Sequence, residues 1–154
     1  MKLLTLWEPW ATFMALRYKK WETRCWRTHY RGLIAIHAAQ LREHVGDAGL
    51  ILTAAGVKKS IFDPDPFPTG DDDWPFGKVV AVARLADCVA TTAANPSHQE
   101  REMGDYSPDR FAWQFEDLRR VKPIPCKGMQ GLKDLPAEIE AKLEYLDAVA
   151  EARP

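Results

Sequence analysis

The sequence predicts a mixed α+β domain, a compact β-barrel or curved mixed sheet with helices packed outside it. Three observations carry this expectation. Residues 32–38, 78–88 and 111–121 are rich in branched, small and aromatic residues over strand lengths. The segments between them hold short helical patterns, without the regular strand–helix alternation of a doubly wound sheet. The chain has 154 residues, 46% of them hydrophobic, which suits one core and excludes wholesale disorder.

Residues 2–7 (Lys-Leu-Leu-Thr-Leu-Trp) read as a short strand. Pro9 suits the first position of a helix, and Glu8 lies where that helix favours negative charge. Trp10, Phe13 and Met14 follow at helical spacing and are expected to face the core, with the helix ending near residues 17–18. Residues 20–26 alternate, Trp21, Thr23 and Cys25 against Lys20, Glu22, Arg24 and Trp26, which is a strand pattern. Residues 27–31 form a polar turn. In 32–38, Ile34 and Ile36 point one way and Leu33, Ala35 and His37 the other. Residues 40–55 read as a helix weakened by Gly46 and Gly49.

The proline- and aspartate-rich run 63–77 reads as a surface loop, with 63–75 expected to be mobile. Its acids lack the alternating spacing of a calcium loop. Residues 96–103 suit a short helix starting after Asn95. Phe111, Trp113 and Phe115 then alternate with Ala112, Gln114 and Glu116 in a strand running towards Val121, and 122–131 is extended and then loop-like. Residues 137–150 suggest an amphipathic helix with Ile139, Leu143, Leu146 and Ala150 on one stripe.

Composition narrows the function classes. Cys25, Cys88 and Cys126 are odd in number and far apart, so neither a disulfide framework nor a metal site is expected. No glycine-rich phosphate loop is present, and no cofactor is expected. No apolar run nears the roughly 20 residues that cross a bilayer. The N-terminus meets a charge and a proline too soon for a signal peptide, which points to the cytoplasm. Net charge is −1, too balanced for strong non-specific duplex binding. The charge is uneven, however: residues 1–45 hold eight Lys/Arg against three Asp/Glu, beside Trp7, Trp10, Trp21 and Trp26. Cations beside aromatic rings suit a nucleotide or a single strand, although tryptophans in the core behind a solvated edge are the plainer reading.

The stretch Leu6-Trp7-Glu8-Pro9-Trp10-Ala11, then Lys19-Lys20-Trp21-Glu22-Thr23-Arg24, then Trp26 to Ala38, resembles the opening of an ASCH domain of the PUA-like superfamily. In the family signature G-x-K-x-x-E-x-R, Lys19, Glu22 and Arg24 stand at the K, E and R positions. Arg17 replaces the glycine, which implies an ordinary backbone angle or an altered loop there. Phe76-Gly77-Lys78-Val79-Val80-Ala81, Phe111 to Asp117 and Pro123 to Gly128 extend the resemblance to about residues 3–133. It implies a PUA-like β-barrel of mixed strands with helices outside, of the single-domain bacterial or phage type. The domain is expected over 1–135, with a C-terminal helix over 136–154 packed on it.

The resemblance further implies binding of RNA, a nucleotide or a modified nucleoside. Some relatives cleave RNA, and others hydrolyse the amide of acetylcytidine. In that amidohydrolase branch a lysine, a threonine and a glutamate act together, with threonine at the signature's glutamate position. Here Glu22 stands at that position and Thr23 is its neighbour.

Lys19, Glu22 and Arg24 are therefore the candidate floor of a ligand cleft, and Lys19 and Glu22 the catalytic candidates if the protein is an enzyme. Two cations around one carboxylate keep it ionised and can hold a phosphate or an oxyanion. As an exposed cluster they would be worth only about 0–1 kcal/mol, so removing Lys19 is expected to cost little stability. Trp26 is the stacking candidate. Arg27, Arg31 and Lys127 are phosphate candidates, and His37 is a candidate general acid or base. Glu100 and Glu102 read as solvated helix acids. Three classes stay open: an RNA or nucleotide binder, a hydrolase acting on RNA or an acylated cytidine, and an adaptor holding a protein partner.

Overall fold

The computed structural model describes residues 1–58 and 67–147. Six strands form one sheet: β1 (Lys2–Leu6), β2 (Trp21–Arg24), β3 (Gly32–Ala38), β4 (Lys78–Ala90), β5 (Phe111–Pro125) and β6 (Leu132–Asp134). Their order is β2-β5-β4-β3-β1-β6. β1 and β3 are parallel, and the other pairs are antiparallel. Register shifts along β4 and β5 let these long strands bend, and the sheet curls into a half-barrel. The helices α1 (Trp10–Ala15), α2 (Ala48–Ala54), α3 (His98–Glu102) and α4 (Ala137–Glu140) lie outside it. The mixed α+β fold expected from the sequence is the one observed.

The two-residue period of the strands divides the core. Leu4, Leu6, Ile34 and Ile36 join Met14, Leu85, Trp113 and Phe115 in one cluster. The intervening Leu3 and Ala35 join Val79, Val82, Val121 and Leu135 in a second. A third, around Phe13, Leu52, Trp74 and Met103, fastens α1 and α2 together.

Several elements differ from the expectation. Pro9 caps α1 rather than opening it. The helix expected over 40–55 is confined to α2, behind a single 3-10 turn at Val45–Asp47. α3 starts after Ser97 rather than Asn95, because the Ser97 hydroxyl accepts the Glu100 amide. The loop expected over 63–75 is partly packed. Residues 63–66 lie outside the described residues, but Phe67 stacks on Phe13 and meets Trp74, which is buried.

The helix expected over 137–150 is the largest correction. Of the described residues there, only α4 is helical, and the chain then runs back along β5. β2 pairs only with residues 111–114 of β5, which leaves the edge beyond them open. The amides of Lys122 and Leu146 donate to Glu144 and Arg120 carbonyls, and Val121 bridges Tyr145. Backbone pairing at an open edge outweighs the helical pattern. Ile139, Leu143 and Tyr145 still cover the second cluster, whereas Leu146 is exposed and Ala150 lies outside the described residues.

Asp147 clamps this strap. Its carboxylate accepts the Arg120 amide at 2.6 Å and the Arg120 guanidinium at 3.0 and 3.2 Å, and Arg17 Nη2 lies 2.8 Å away. Burial pushes the Asp147 carboxyl up, but Arg120 and then Arg17 outweigh it and hold it below the ordinary value. Asp147→Ala is expected to cost about 2 kcal/mol in urea unfolding at pH 7, because it strands charged donors. A depressed carboxylate stabilises above its unfolded value and loses that contribution as pH falls through the folded one, so the difference should vanish in acid. A loss below about 0.5 kcal/mol at pH 7 would mean that the strap is not seated.

Candidate functional site

The signature segment is held from both sides before it reaches the cleft. At the end of α1, Arg17 takes φ 61°, and the Tyr18 and Lys19 amides both donate to the Phe13 carbonyl. The left-handed angle that glycine would supply is thus kept by an arginine, not replaced by an ordinary one. That costs about 1–2 kcal/mol. It is offset by the bond from Arg17 Nε to the Leu118 carbonyl and by the pairing with Asp147. From the opposite side, Gln99 donates to the Tyr18 carbonyl, and the Glu100 carboxylate accepts the amides of Lys20 and Trp21 at 2.7 and 3.3 Å.

The chain therefore delivers Lys19, Glu22 and Arg24 to one place. Lys19 Nζ donates to Glu22 Oε2 at 2.7 Å, and Arg24 Nε lies 3.4 Å from Glu22 Oε1. Arg24 Nη2 also donates to the Thr5 carbonyl at 2.7 Å, tying β2 to the end of β1. The Lys19 side chain is 1% exposed and that of Glu22 13%. This is not the exposed cluster that the spacing suggested, and the small stability cost expected for Lys19 does not hold: its stem is packed and its charge desolvated.

All three line a cleft of about 620 Å³, between the end of β1, β2 and the segment after α3. Trp7, Trp10 and Trp26 supply aromatic wall, and Glu102, Asp105 and Arg110 supply charge. Trp7 is 54% exposed and stacks on His44 at 5.2 Å. Trp10, expected in the core, is only partly buried. Trp26 stands edge-on to Trp113 at 4.6 Å, and the Trp113 indole N–H donates to its carbonyl.

Burial also shifts three ionisable groups that do not line the cleft: Glu100, Tyr106 and Glu8. Glu100 is no solvated helix acid: burial raises its carboxyl, opposed by the Lys20 amide, the Lys19 charge and the Trp21 amide. Burial, then the charges of Glu100 and Glu22, push the Tyr106 phenol well above its ordinary value, so it stays a proton donor. Between Trp7 and Trp10, Glu8 is fully buried and accepts the Thr12 amide and hydroxyl at 3.0 and 2.9 Å. Its burial outweighs both bonds and lifts the carboxyl to about 7. The Thr23 hydroxyl accepts the Asp105 amide at 3.1 Å.

The remaining candidates divide. Trp26 lines the cleft. His37 does not: it is 1% exposed, with Nε2 on the Cys126 carbonyl at 2.8 Å, and burial lowers its pKa below the ordinary value against the Cys126 and Gly77 carbonyls. It packs under Gly128, where a Cβ would meet its ring at 2.9 Å, so its part is structural. Arg31 is spent on the Thr28 and Tyr30 carbonyls and on Asp87, and Arg27 lies over the Phe111 ring. Neither lines the cleft. Lys127 is exposed in the loop after β5. Thr5 and Arg110 were missed as cleft residues, and Glu100 as the partner of the Lys20 and Trp21 amides, because the folding of distant segments brings them there.

The ASCH domain family matches residues 4–125, most of the chain and all of the signature segment. The chain belongs to the ASCH domain family. Its fold is similar to the crystal structure of ASCH from Zymomonas mobilis, at 14% identity and a TM-score of 0.55, over 93% of this chain and 95% of that one. A tyrosine-to-phenylalanine mutant of the Zymomonas mobilis protein matches at 14% identity and 0.54, over 93% and 98%. A serine-to-alanine mutant matches at 16% and 0.51, over 92% of each chain. These likenesses show a shared fold. No curated protein matches the chain. Among the described residues of this ASCH domain, no helix is long and apolar enough to cross a membrane.

Proposed function

We propose that this ASCH domain binds RNA or a nucleotide by seating a base in the cleft floored by Lys19, Glu22 and Arg24. The observation that carries this is one arrangement: a cleft of about 620 Å³, roomy enough for a base, with a largely buried cation–carboxylate–cation floor and tryptophan walls. A flat heterocycle takes hydrogen bonds on its edge and stacking on its face, and fixed buried charges supply the first while indole rings supply the second. The family supports the same reading.

Hydrolysis of the bound ligand, at an RNA phosphodiester or an acylated cytidine amide, is the second reading. It is favoured by the direct Lys19–Glu22 contact, a proton donor and acceptor 2.7 Å apart at the cleft floor. A panel of nucleosides, modified nucleosides and short RNAs, followed for both binding and product, separates the two. Glu22→Gln keeps the shape and removes the charge. A binder is expected to retain most of its affinity in this variant, whereas a hydrolase using the carboxylate loses about 100-fold or more in rate. Absence of saturable binding by every ligand of the panel sinks the reading.

A further inference from the structure

The cleft does not end at Arg24. A second hollow of about 500 Å³ adjoins it, closed on its far side by the loop Gly128, Met129, Gln130 and Gly131. The two share Thr5, Trp7, Arg24 and Trp26 as common wall. Each falls within the roughly 300–1,000 Å³ of small-ligand sites. The loop lies beyond residue 125, where the family match ends.

The two hollows differ in charge. The first holds both signs, with Glu22, Glu102 and Asp105 beside Lys19, Arg24 and Arg110. In the second, Arg24 is the single ionisable side chain lining the wall, among apolar, glycine and amide groups. Arg24 is held by a hydrogen bond from Nη2 to the Thr5 carbonyl and by an ion pair with the Glu22 carboxylate, 3.4 Å from Nε, which itself makes no hydrogen bond among the described residues. Its Nη1 has no partner among the described residues. A planar guanidinium anchored on one side, with donors left over, suits a phosphate oxygen. The loop is itself braced against β1, since the Met129 amide donates to the Thr5 hydroxyl at 3.2 Å.

We infer that the ligand of this cleft is at least two nucleotides long. One base occupies the first hollow, the phosphodiester lies against Arg24, and the next nucleotide occupies the second hollow between Trp26 and the Gly128–Gly131 loop. The inference rests on the base-binding reading above and adds the length and charge of the ligand. It sets the site apart from one shaped for a free nucleoside, because a neutral nucleoside leaves the second hollow empty and brings no phosphate to Arg24 Nη1.

The test is a titration, by tryptophan fluorescence and calorimetry, of the four ribonucleosides, their 3′- and 5′-monophosphates and the four matching homodinucleoside monophosphates. The best dinucleoside monophosphate is expected to bind at least about tenfold more tightly than its nucleoside, the factor that one stacked base supplies. Gln130→Glu changes one exposed side chain, keeps its shape and places a negative charge in the second hollow. It should erase that advantage while leaving the nucleoside's own affinity unchanged. Equal affinity of nucleoside and dinucleoside monophosphate would overturn the two-nucleotide inference and leave the base site standing. A tenfold advantage that survives Gln130→Glu would also overturn it, by moving the second nucleotide elsewhere. Failure of all these ligands to bind would remove the base site as well.

Discussion

Glu8→Gln is expected to make the protein more stable at pH 8, by up to about 3 kcal/mol, and to leave it nearly unchanged at pH 4. Glu8, in sequence between Trp7 and Trp10, is fully buried, and among the described residues its hydrogen-bond partners are the Thr12 amide and hydroxyl. Burial disfavours the charged form more than these two bonds favour it, and the carboxyl rises from 4.5 to about 7. A carboxyl raised by folding holds its proton more tightly in the native state than in the unfolded one. Its contribution is therefore most favourable below about 4.5 and is lost as pH rises to about 7, beyond which nothing further changes. Glutamine has the shape of the protonated acid and never ionises.

Other groups titrate in the same range, so the comparison must be between proteins rather than along one curve. Glu100 is also raised by burial and destabilises in the same direction. His37 is lowered by burial and acts oppositely, losing stability as pH falls through the histidine range. Both are common to wild type and variant. Urea unfolding of the two at pH 5 and pH 8 isolates Glu8, and a difference that does not grow between those values would show that its carboxyl is hydrated in solution.

The signature residues were legible because the information is local. Lys19, Glu22 and Arg24 lie within six positions, a turn and a strand set their relative places, and alternation puts Glu22 and Arg24 on one face. Their burial was not legible, since it depends on β5 and α3 closing over β2. Glu100 shows the limit most clearly. In sequence it is one acid on a short polar helix; in the fold it accepts two amides of the signature segment from 79 and 80 residues away. Nothing in its own neighbourhood distinguishes a solvated acid from a cap on someone else's strand.

The strap along β5 and the short strand β6 escaped for a related reason: each is defined by the open edge it covers, not by a pattern of its own. Arg17 is the intermediate case. Its departure from the family glycine is visible in the sequence, but its meaning needed Asp147, which lies outside the family match. His37 failed in the other direction. Its type suggested acid–base chemistry, while its place on β3 under the Gly128 loop removed it from solvent and from the cleft.

Lys19→Met is expected to lower stability by about 2–3 kcal/mol and to abolish ligand binding, and Lys19→Met/Glu22→Gln is expected to recover the stability but not the binding. The single variant keeps most of the buried stem and removes the ammonium. It leaves the Glu22 carboxylate, 13% exposed, with Arg24 at 3.4 Å as its remaining partner, and it withdraws the charge that opposes the desolvation of Glu100. Breaking a fully buried pair from one side costs about 3–5 kcal/mol. The surviving Arg24 contact and the slight exposure of Glu22 set the value here below that range. Neutralising Glu22 as well removes the stranded charge, so the double variant should regain most of the loss, with a coupling of about 1–3 kcal/mol across the cycle. Binding should follow the ammonium and not the stability, because a methionine offers the base edge no donor. Urea unfolding and ligand titration on wild type, both single variants and the double variant measure the two quantities independently. A double variant that is stable and binds as the wild type does would make the Lys19–Glu22 pair part of the scaffold alone.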